Sequence, residues 1–329
     1  MVRWGVLGTA NIAGKVARAM SLAENAELVA VASRSTERAK EWAAERDVPR
    51  YYGSYDELMR DGEIDALYIP LPPSMHAEWT IRAAEAGKHV LCEKPLALTA
   101  SEAQKMADAC ARNNVQLMDG VMWVHHERTD TMRGLIDEGR LGEVCRVTAA
   151  FSFNWGPEVP TKNIRAQKEL GGGALGDLGY YCVRAILWAV RELPKQVYAK
   201  ARYMNGVDVE TSALLTFTDG RCASLDCAFT VSGRSWCEVA GTQAALRVED
   251  FVVPNAEERS AYGVGTRMGS IDMHEVGPCI QEQRMVERFS RIVESGRLEP
   301  DWVNEACDTM RVCEAIAKAA VTGKQVELG

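Results

Sequence analysis

Residues 1–20 read MVRWGVLGTANIAGKVARAM. A short apolar run, Arg3–Gly8, ends in glycine, and a helical pattern follows from Ile12 to Met20. The run reads as a buried strand and the glycine as a tight turn into a helix. Gly8, Thr9, Ala10, Asn11, Ile12 and Ala13 occupy the places of a G-x-G-x-x-G/A turn. Small residues there let the backbone approach a pyrophosphate at a helix N-terminus. Only the first of the three small positions is glycine; Ala10 and Ala13 fill the others. The strand before and the helix after supply context for a dinucleotide site. An ordinary strand-to-helix turn is the plainer alternative.

The alternation continues. Glu27–Ser33, Ile64–Leu71, Lys88–Cys92 and Val115–Asp119 read as strands. Glu37–Arg46, His76–Ala86 and the stretch from Thr99 to Arg112 read as helices, the last opened by a Thr99/Glu102 capping box. Strands that are apolar throughout, alternating with helices, predict a parallel sheet covered on both faces. The end of the second strand selects the nucleotide. A carboxylate there would hold a ribose 2′-hydroxyl, whereas an arginine suits a 2′-phosphate. The chain has Ser33-Arg34-Ser35-Thr36-Glu37-Arg38. Ser33, Arg34 and Arg38 therefore point to NADP(H) in preference to NAD(H), with NAD(H) use still open. The alternative is that both arginines are solvated residues at a helix start, and Glu37 pairs with Arg38 or contacts ribose.

Past about residue 120 the pattern changes. Glu143–Asn154, Gln196–Met204, Thr211–Phe217, Arg221–Thr230 and Ser235–Ala240 read as longer strands with partial alternation, and Asp219-Gly220 as a hairpin turn. Helical patterns return at Glu282–Glu294 and Val303–Ala320. The fold class predicted is α/β: an N-terminal parallel-sheet domain over residues 1–122, and an α+β domain over residues 123–329. The second domain carries a large, open-faced, mostly antiparallel sheet. It is read as binding substrate and forming oligomers, with the last helix packing back on the first domain.

Composition narrows the function. The net charge of −8 over 329 residues disfavours a nucleic-acid binder. No apolar run is long enough for a membrane span, and the N-terminus does not read as a signal peptide. Ten cysteines without a Cys-x-x-Cys pair read as reduced core thiols, not as a metal site, and suit a cytoplasmic protein.

Two further stretches carry chemistry. Glu93-Lys94-Pro95 follows the strand Lys88–Cys92, so Lys94 stands at a strand's carboxyl end, where ligands bind, and Pro95 is a candidate cis peptide. Residues 171–181 read GGGALGDLGYY. A triple glycine could make a phosphate nest, but the run lacks the Gly-Lys-Ser/Thr of a P-loop. The glycines are read instead as a close passage into a helix starting near Ala174. On that helix Asp177 and Tyr181, at i and i+4, would share a face. A capping Asp and a half-buried Tyr is the bland alternative.

The run Ala86–Ala97 (AGKHVLCEKPLA), the Ile-Asp-Ala strand followed by His76, and GGGALGDLGYY together resemble the Gfo/Idh/MocA oxidoreductases across nearly the whole chain. The runs Met118–Trp123, Asn163–Arg165 and Asp177–Tyr181 resemble its dimeric dihydrodiol dehydrogenase and NADP-dependent D-xylose dehydrogenase group. The resemblance implies a Rossmann domain, an open-sheet domain, and NAD(P)-dependent hydride transfer on sugars or cyclic polyols. It implies Lys94, Asp177 and Tyr181 as catalytic residues, Tyr181 handling the proton with Lys94 beside it. It implies cofactor contacts from Leu71, Pro72, His76, Glu93 and Lys94. It also implies a homodimer through the open sheet. The loop Pro72–His76 lacks the family's frequent Asn, and Val124 stands where an Arg is common. Trp123 and Phe153 are candidates for a sugar-facing wall or plain core residues, and Arg165 for a substrate or loop contact. The alternatives are a reductase of a keto-sugar or diketone and a non-catalytic NADP-binding regulator.

Overall fold

The computed structural model describes residues 1–156, 163–267 and 269–328. The chain forms two compact units: Met1–Met122 with Ile280–Cys307, and Trp123–Cys279 with Asp308–Gly329. In chain order the first unit begins β1 (Val2–Leu7), α1 (Asn11–Leu22), β2 (Ala26–Ala32), α2 (Thr36–Ala44), β3 (Arg50–Tyr52) and α3 (Tyr55–Met59). It continues β4 (Ala66–Ile69), α4 (Pro73–Glu85), β5 (His89–Cys92), α5 (Ala100–Arg112) and β6 (Leu117–Asp119). The six strands lie in the order β3-β2-β1-β4-β5-β6, and every pairing is parallel. This is the predicted α/β sheet. Strands β1, β2, β4, β5 and β6 are buried along most of their length, as a parallel sheet covered by helices on both faces requires. Helix starts follow local chemistry. Ser35, Ser54 and Thr99 each accept a backbone N–H of the first turn with their side-chain oxygens. Pro73 at the first turn of α4 loses no helical bond.

The second unit has α6 (Glu127–Asp137), β7 (Val144–Asn154), α7 (Tyr180–Val190), β8 (Gln196–Met204), β9 (Val207–Thr216) and β10 (Cys222–Ala228). Then come β11 (Thr230–Gly241), β12 (Ala245–Glu249), β13 (Ser260–Arg267) and β14 (Ser270–Val276). Helix α8 (Gln281–Ser295) and the start of α9 (Pro300–Thr322) belong to the first unit, and the rest of α9 with β15 (Val326–Glu327) to the second. The nine-stranded sheet runs β14-β13-β12-β11-β7-β10-β9-β8-β15. Only β7–β10 is parallel; the other pairings are antiparallel.

Beside β3, α3, α6 and β15, which no expected element covers, three details differ from expectation. The strand expected at Thr211–Phe217 starts at Val207, directly after an Asn205-Gly206 hairpin turn with positive φ at both residues. Strands β12 to β14 were not anticipated: β13 is glycine-broken, and β14 is exposed along nearly its whole length. The apolar alternation is short in both, covering only Tyr262 and Val264 in β13 and Ile271 and Met273 in β14. Thirdly, the helix expected near Ala174 begins as one π-helical turn, Leu175–Gly179. No helix among the described residues is long and apolar enough to cross a membrane.

Candidate active site

The cofactor candidates all lie in the first unit, at the carboxyl ends of its parallel strands. Gly8 opens the turn after β1 with φ +112°, a conformation that disfavours any side chain. A β-carbon there would also press on Leu71, 3.0 Å away. Ala10 caps α1 without a side-chain hydrogen bond, and Asn11 and Ile12 open the helix. The first-turn N–H groups thus receive no side-chain cap from Ala10, and a helix N-terminus of this kind suits a phosphate. At the end of β2, Ser33 is buried and Arg34 and Arg38 are exposed. Glu37 accepts from Ser35 Oγ at 2.8 Å, and that bond holds its carboxyl below the usual range. The residues present therefore fit a dinucleotide carrying a 2′-phosphate: a small-residue turn, an open helix start, and two guanidiniums.

The turn after β5 is braced from within. Lys94–Pro95 is a cis peptide. Glu93 is buried; its Oε1 accepts from Tyr68 Oη at 2.6 Å and its Oε2 from the Lys94 N–H at 3.2 Å. Burial pushes the Glu93 carboxyl up. Gly120 leaves it room, since a β-carbon there would stand 3.0 Å from Oε1. His76 is fully buried on α4, with Nδ1 2.9 Å from the Pro95 carbonyl oxygen and Nε2 2.7 Å from that of Leu71. It ties the turn after β4 to the turn after β5. Leu71, Pro72, His76, Glu93 and Lys94 are thus brought together, with Glu93 and His76 facing inward to hold the Lys94 turn. Tyr68, which sequence reasoning passed over as a strand residue, completes the brace.

In the second unit the glycine run serves close packing. A β-carbon on Gly172 would meet the Arg165 carbonyl oxygen at 2.5 Å, and one on Gly173 (φ +132°) would strike Asp208. Asp208 reaches from β9 to the start of the π-turn: its Oδ2 accepts from the Leu175 N–H at 2.7 Å and from Thr211 Oγ1 at 2.8 Å. Burial pushes its carboxyl up. Nothing in the spacing of the sequence announces Asp208, because its partner lies 33 residues away. Asp177 lies on the π-turn and accepts from Arg165 Nε at 2.6 Å. Tyr181, in the first turn of α7, is 6% exposed and stands edge-on to Phe151 at 5.8 Å. A π-turn between Asp177 and Tyr181 offsets the i, i+4 face expected of a regular helix. Phe153 packs on Phe229 at 5.2 Å. Trp123 is 2% exposed between Trp188 and Phe251, the placement of a core residue, and its Nε1 is buried without a hydrogen-bond partner. Among the described residues no group of three or more His, Cys, Asp or Glu side chains is placed to hold a metal ion.

Known proteins give this arrangement a family. Residues 2–121 match the oxidoreductase family with an NAD-binding Rossmann fold, and residues 129–247 match the GFO/IDH/MocA C-terminal domain. A D-xylose 1-dehydrogenase (NADP(+)) of Haloferax volcanii is 35% identical over 99% of both chains. A dTDP-3,4-didehydro-2,6-dideoxy-alpha-D-glucose 3-reductase of Saccharopolyspora spinosa is 36% identical over 90% of this chain and 88% of its own. Among solved structures, a 3-ketoreductase from Actinomadura kijaniata in complex with NADP and TDP-benzene is similar with a TM-score of 0.90. It is 29% identical, over 97% of each chain. With both halves of the family matched and identity above 30% along the full length, the chain belongs to the Gfo/Idh/MocA oxidoreductases.

Proposed function

We propose that this protein is an NADP-dependent oxidoreductase of an aldose or related cyclic polyol, giving the lactone or ketone. The observation that carries the reading is the brace on the Lys94 turn: two buried polar groups, Glu93 and His76, are committed to holding the turn in which Lys94 alone is partly open. Buried polar groups are costly unless they are bonded, so a plain turn would not need them. When bound, NADP supplies the electrophilic ring that takes the hydride. Arg34 and Arg38 hold the 2′-phosphate, and Arg34 can do so with two parallel bonds. Tyr181 accepts the hydroxyl proton at its phenol oxygen, and returns it in reverse. A free phenol titrates near pH 10; the Lys94 ammonium favours the phenolate and brings it nearer operating pH. Asp177, held by Arg165, binds the substrate or orients Lys94. Phe153 supplies an apolar wall for a sugar's C–H face.

The relatives named as keto-sugar reductases favour the reverse direction as a second reading. The same residues serve both, since proton and hydride paths are reversible. We also place the protein among intracellular homodimers.

The test is cofactor turnover with NADP and NAD on aldoses, anhydrosugars, inositols and trans-diols, and NADPH oxidation by keto-sugars. Tyr181→Phe is expected to lower kcat by about 10²-fold or more while NADPH still binds. Full turnover in Tyr181→Phe would remove that residue from the mechanism. Tight NADPH binding without turnover on any substrate would favour a regulatory protein instead.

A further inference from the structure

Three strand ends converge on one phenol in the first unit. Tyr55 opens α3, just past β3, the neighbour of β2 in the sheet. The residue is 8% exposed, and its ring stands edge-on to Trp79 at 4.9 Å and 82°. Trp79 is in turn covered by the Arg82 guanidinium, 4.3 Å from the ring centroid. This packing fixes where the hydroxyl points. Tyr55 Oη lies 3.8 Å from the place a β-carbon on Gly8 would occupy, at the mouth of the first turn. It also lies within the field of both Arg34 and Arg38, which offset the upward push of burial on the phenol. A hydroxyl is a donor as well as an acceptor. Here it stands at the ends of β1 and β2, where the Gly8 N–H donates to the Ala32 carbonyl at 2.8 Å and the Ser33 N–H to the Tyr52 carbonyl at 3.1 Å, one residue before Arg34.

We propose that the Tyr55 hydroxyl is a third donor to the cofactor's 2′-phosphate, alongside Arg34 and Arg38. This rests on the NADP reading above and extends it. Discrimination then comes from two strand ends, β2 and β3, and not from the β2 end alone. A phenol donates to a phosphate dianion but adds no charge, so it selects the phosphate with less salt dependence than an arginine. Hydrogen bonds to charged groups are the stronger class, and losing one costs about tenfold or more in affinity.

The test is calorimetric binding of NADPH, NADH, 2′,5′-ADP and 5′-AMP to the wild type and to Tyr55→Phe. Phenylalanine keeps the ring against Trp79, so the melting temperature should hold. The expected result is a loss of about tenfold for NADPH and 2′,5′-ADP, with NADH and 5′-AMP unmoved. Arg34→Ala combined with Tyr55→Phe should then be non-additive for 2′,5′-ADP. If Tyr55→Phe weakens NADPH and NADH equally, Tyr55 shapes the shared adenosine pocket and the proposal is overturned. It is also overturned if the ratio of the two affinities matches that of the wild type. A wild type that binds NADPH no better than NADH would overturn the NADP reading itself, a result distinct from either.

Discussion

His76 shows how much one side chain can hold. A neutral imidazole has one N–H, yet both of its ring nitrogens face carbonyl oxygens. Burial pulls the ring below its ordinary value, the two carbonyls pull it up, and the Lys94 ammonium pulls it down again. Burial dominates, so the fold favours the neutral ring. A base depressed in the folded state gives its full stabilisation above its unfolded value, near pH 6.5, and loses it as pH falls below that. His76→Leu should therefore lower the melting temperature most at pH 8, by removing the one N–H that the neutral ring donates to a carbonyl, at a cost of about 1–3 kcal/mol. The gap from the wild type should narrow by pH 5. Thermal melts of both proteins at pH 5, 6 and 8 check this. A gap that widens on acidification would mean that the carbonyls hold an imidazolium. His76 itself was legible in the sequence as a residue near the cofactor turn. Its two partners were not, because a carbonyl has no signature and Leu71 and Pro95 are apolar letters.

At the scale of elements, the start of α7 carries an unusual load. A π-turn, two tight glycines and a carboxylate from β9 meet there. The glycine run and the coming helix could be read from sequence. The π-turn could not, since no residue type demands it, and neither could Asp208, which sits in a strand and acts on a helix. Asp208 is half-buried, and its acceptor role satisfies an N–H group that an N-terminal turn leaves open. Asp208→Ala should cost about 1–3 kcal/mol by orphaning the Leu175 N–H and the Thr211 hydroxyl. Gly173→Ala should do similar or greater damage, because it combines positive φ with a collision on the same carboxylate. Urea midpoints measure both. Equal stability in Asp208→Ala would show that water replaces the carboxylate. The first half of the chain was the more readable throughout. Strands β1, β2, β4, β5 and β6 are buried on both faces and flanked by helices, so their boundaries coincide with a change of period; the half-open β3 and the five-residue α3 give no such signal and were missed. In the second half β13 and β14 escape notice for the opposite reason: Ile271 and Met273 are exposed, and glycines stand opposite them.

For the whole molecule, the nine-stranded sheet raises the question of what covers it. Val147, Ala149, Val209, Ala213, Leu215, Leu225, Cys237 and Val239 are buried, every second residue along their strands. The alternate positions are open. They carry exposed Tyr198 and Leu214 toward one edge, and exposed Ile271 and Met273 toward the other. Between them are ion pairs such as Arg234–Asp226 and Arg247–Glu238. A face that mixes apolar ends with paired charges is self-complementary under a two-fold axis, since each end can meet the like end of a second copy. We expect a homodimer through this face. Light scattering after size exclusion should give twice the 36.2 kDa chain mass. Leu214→Arg should shift it to the monomer, because each substituted copy would bring an unpaired charge into the contact. The exposed site of the substitution spares the core, so the monomer should keep its far-ultraviolet circular dichroism. A wild type that is monomeric at micromolar concentration would leave the sheet open to solvent. Its ion pairs would then serve the other purpose of such a face, keeping a broad sheet soluble.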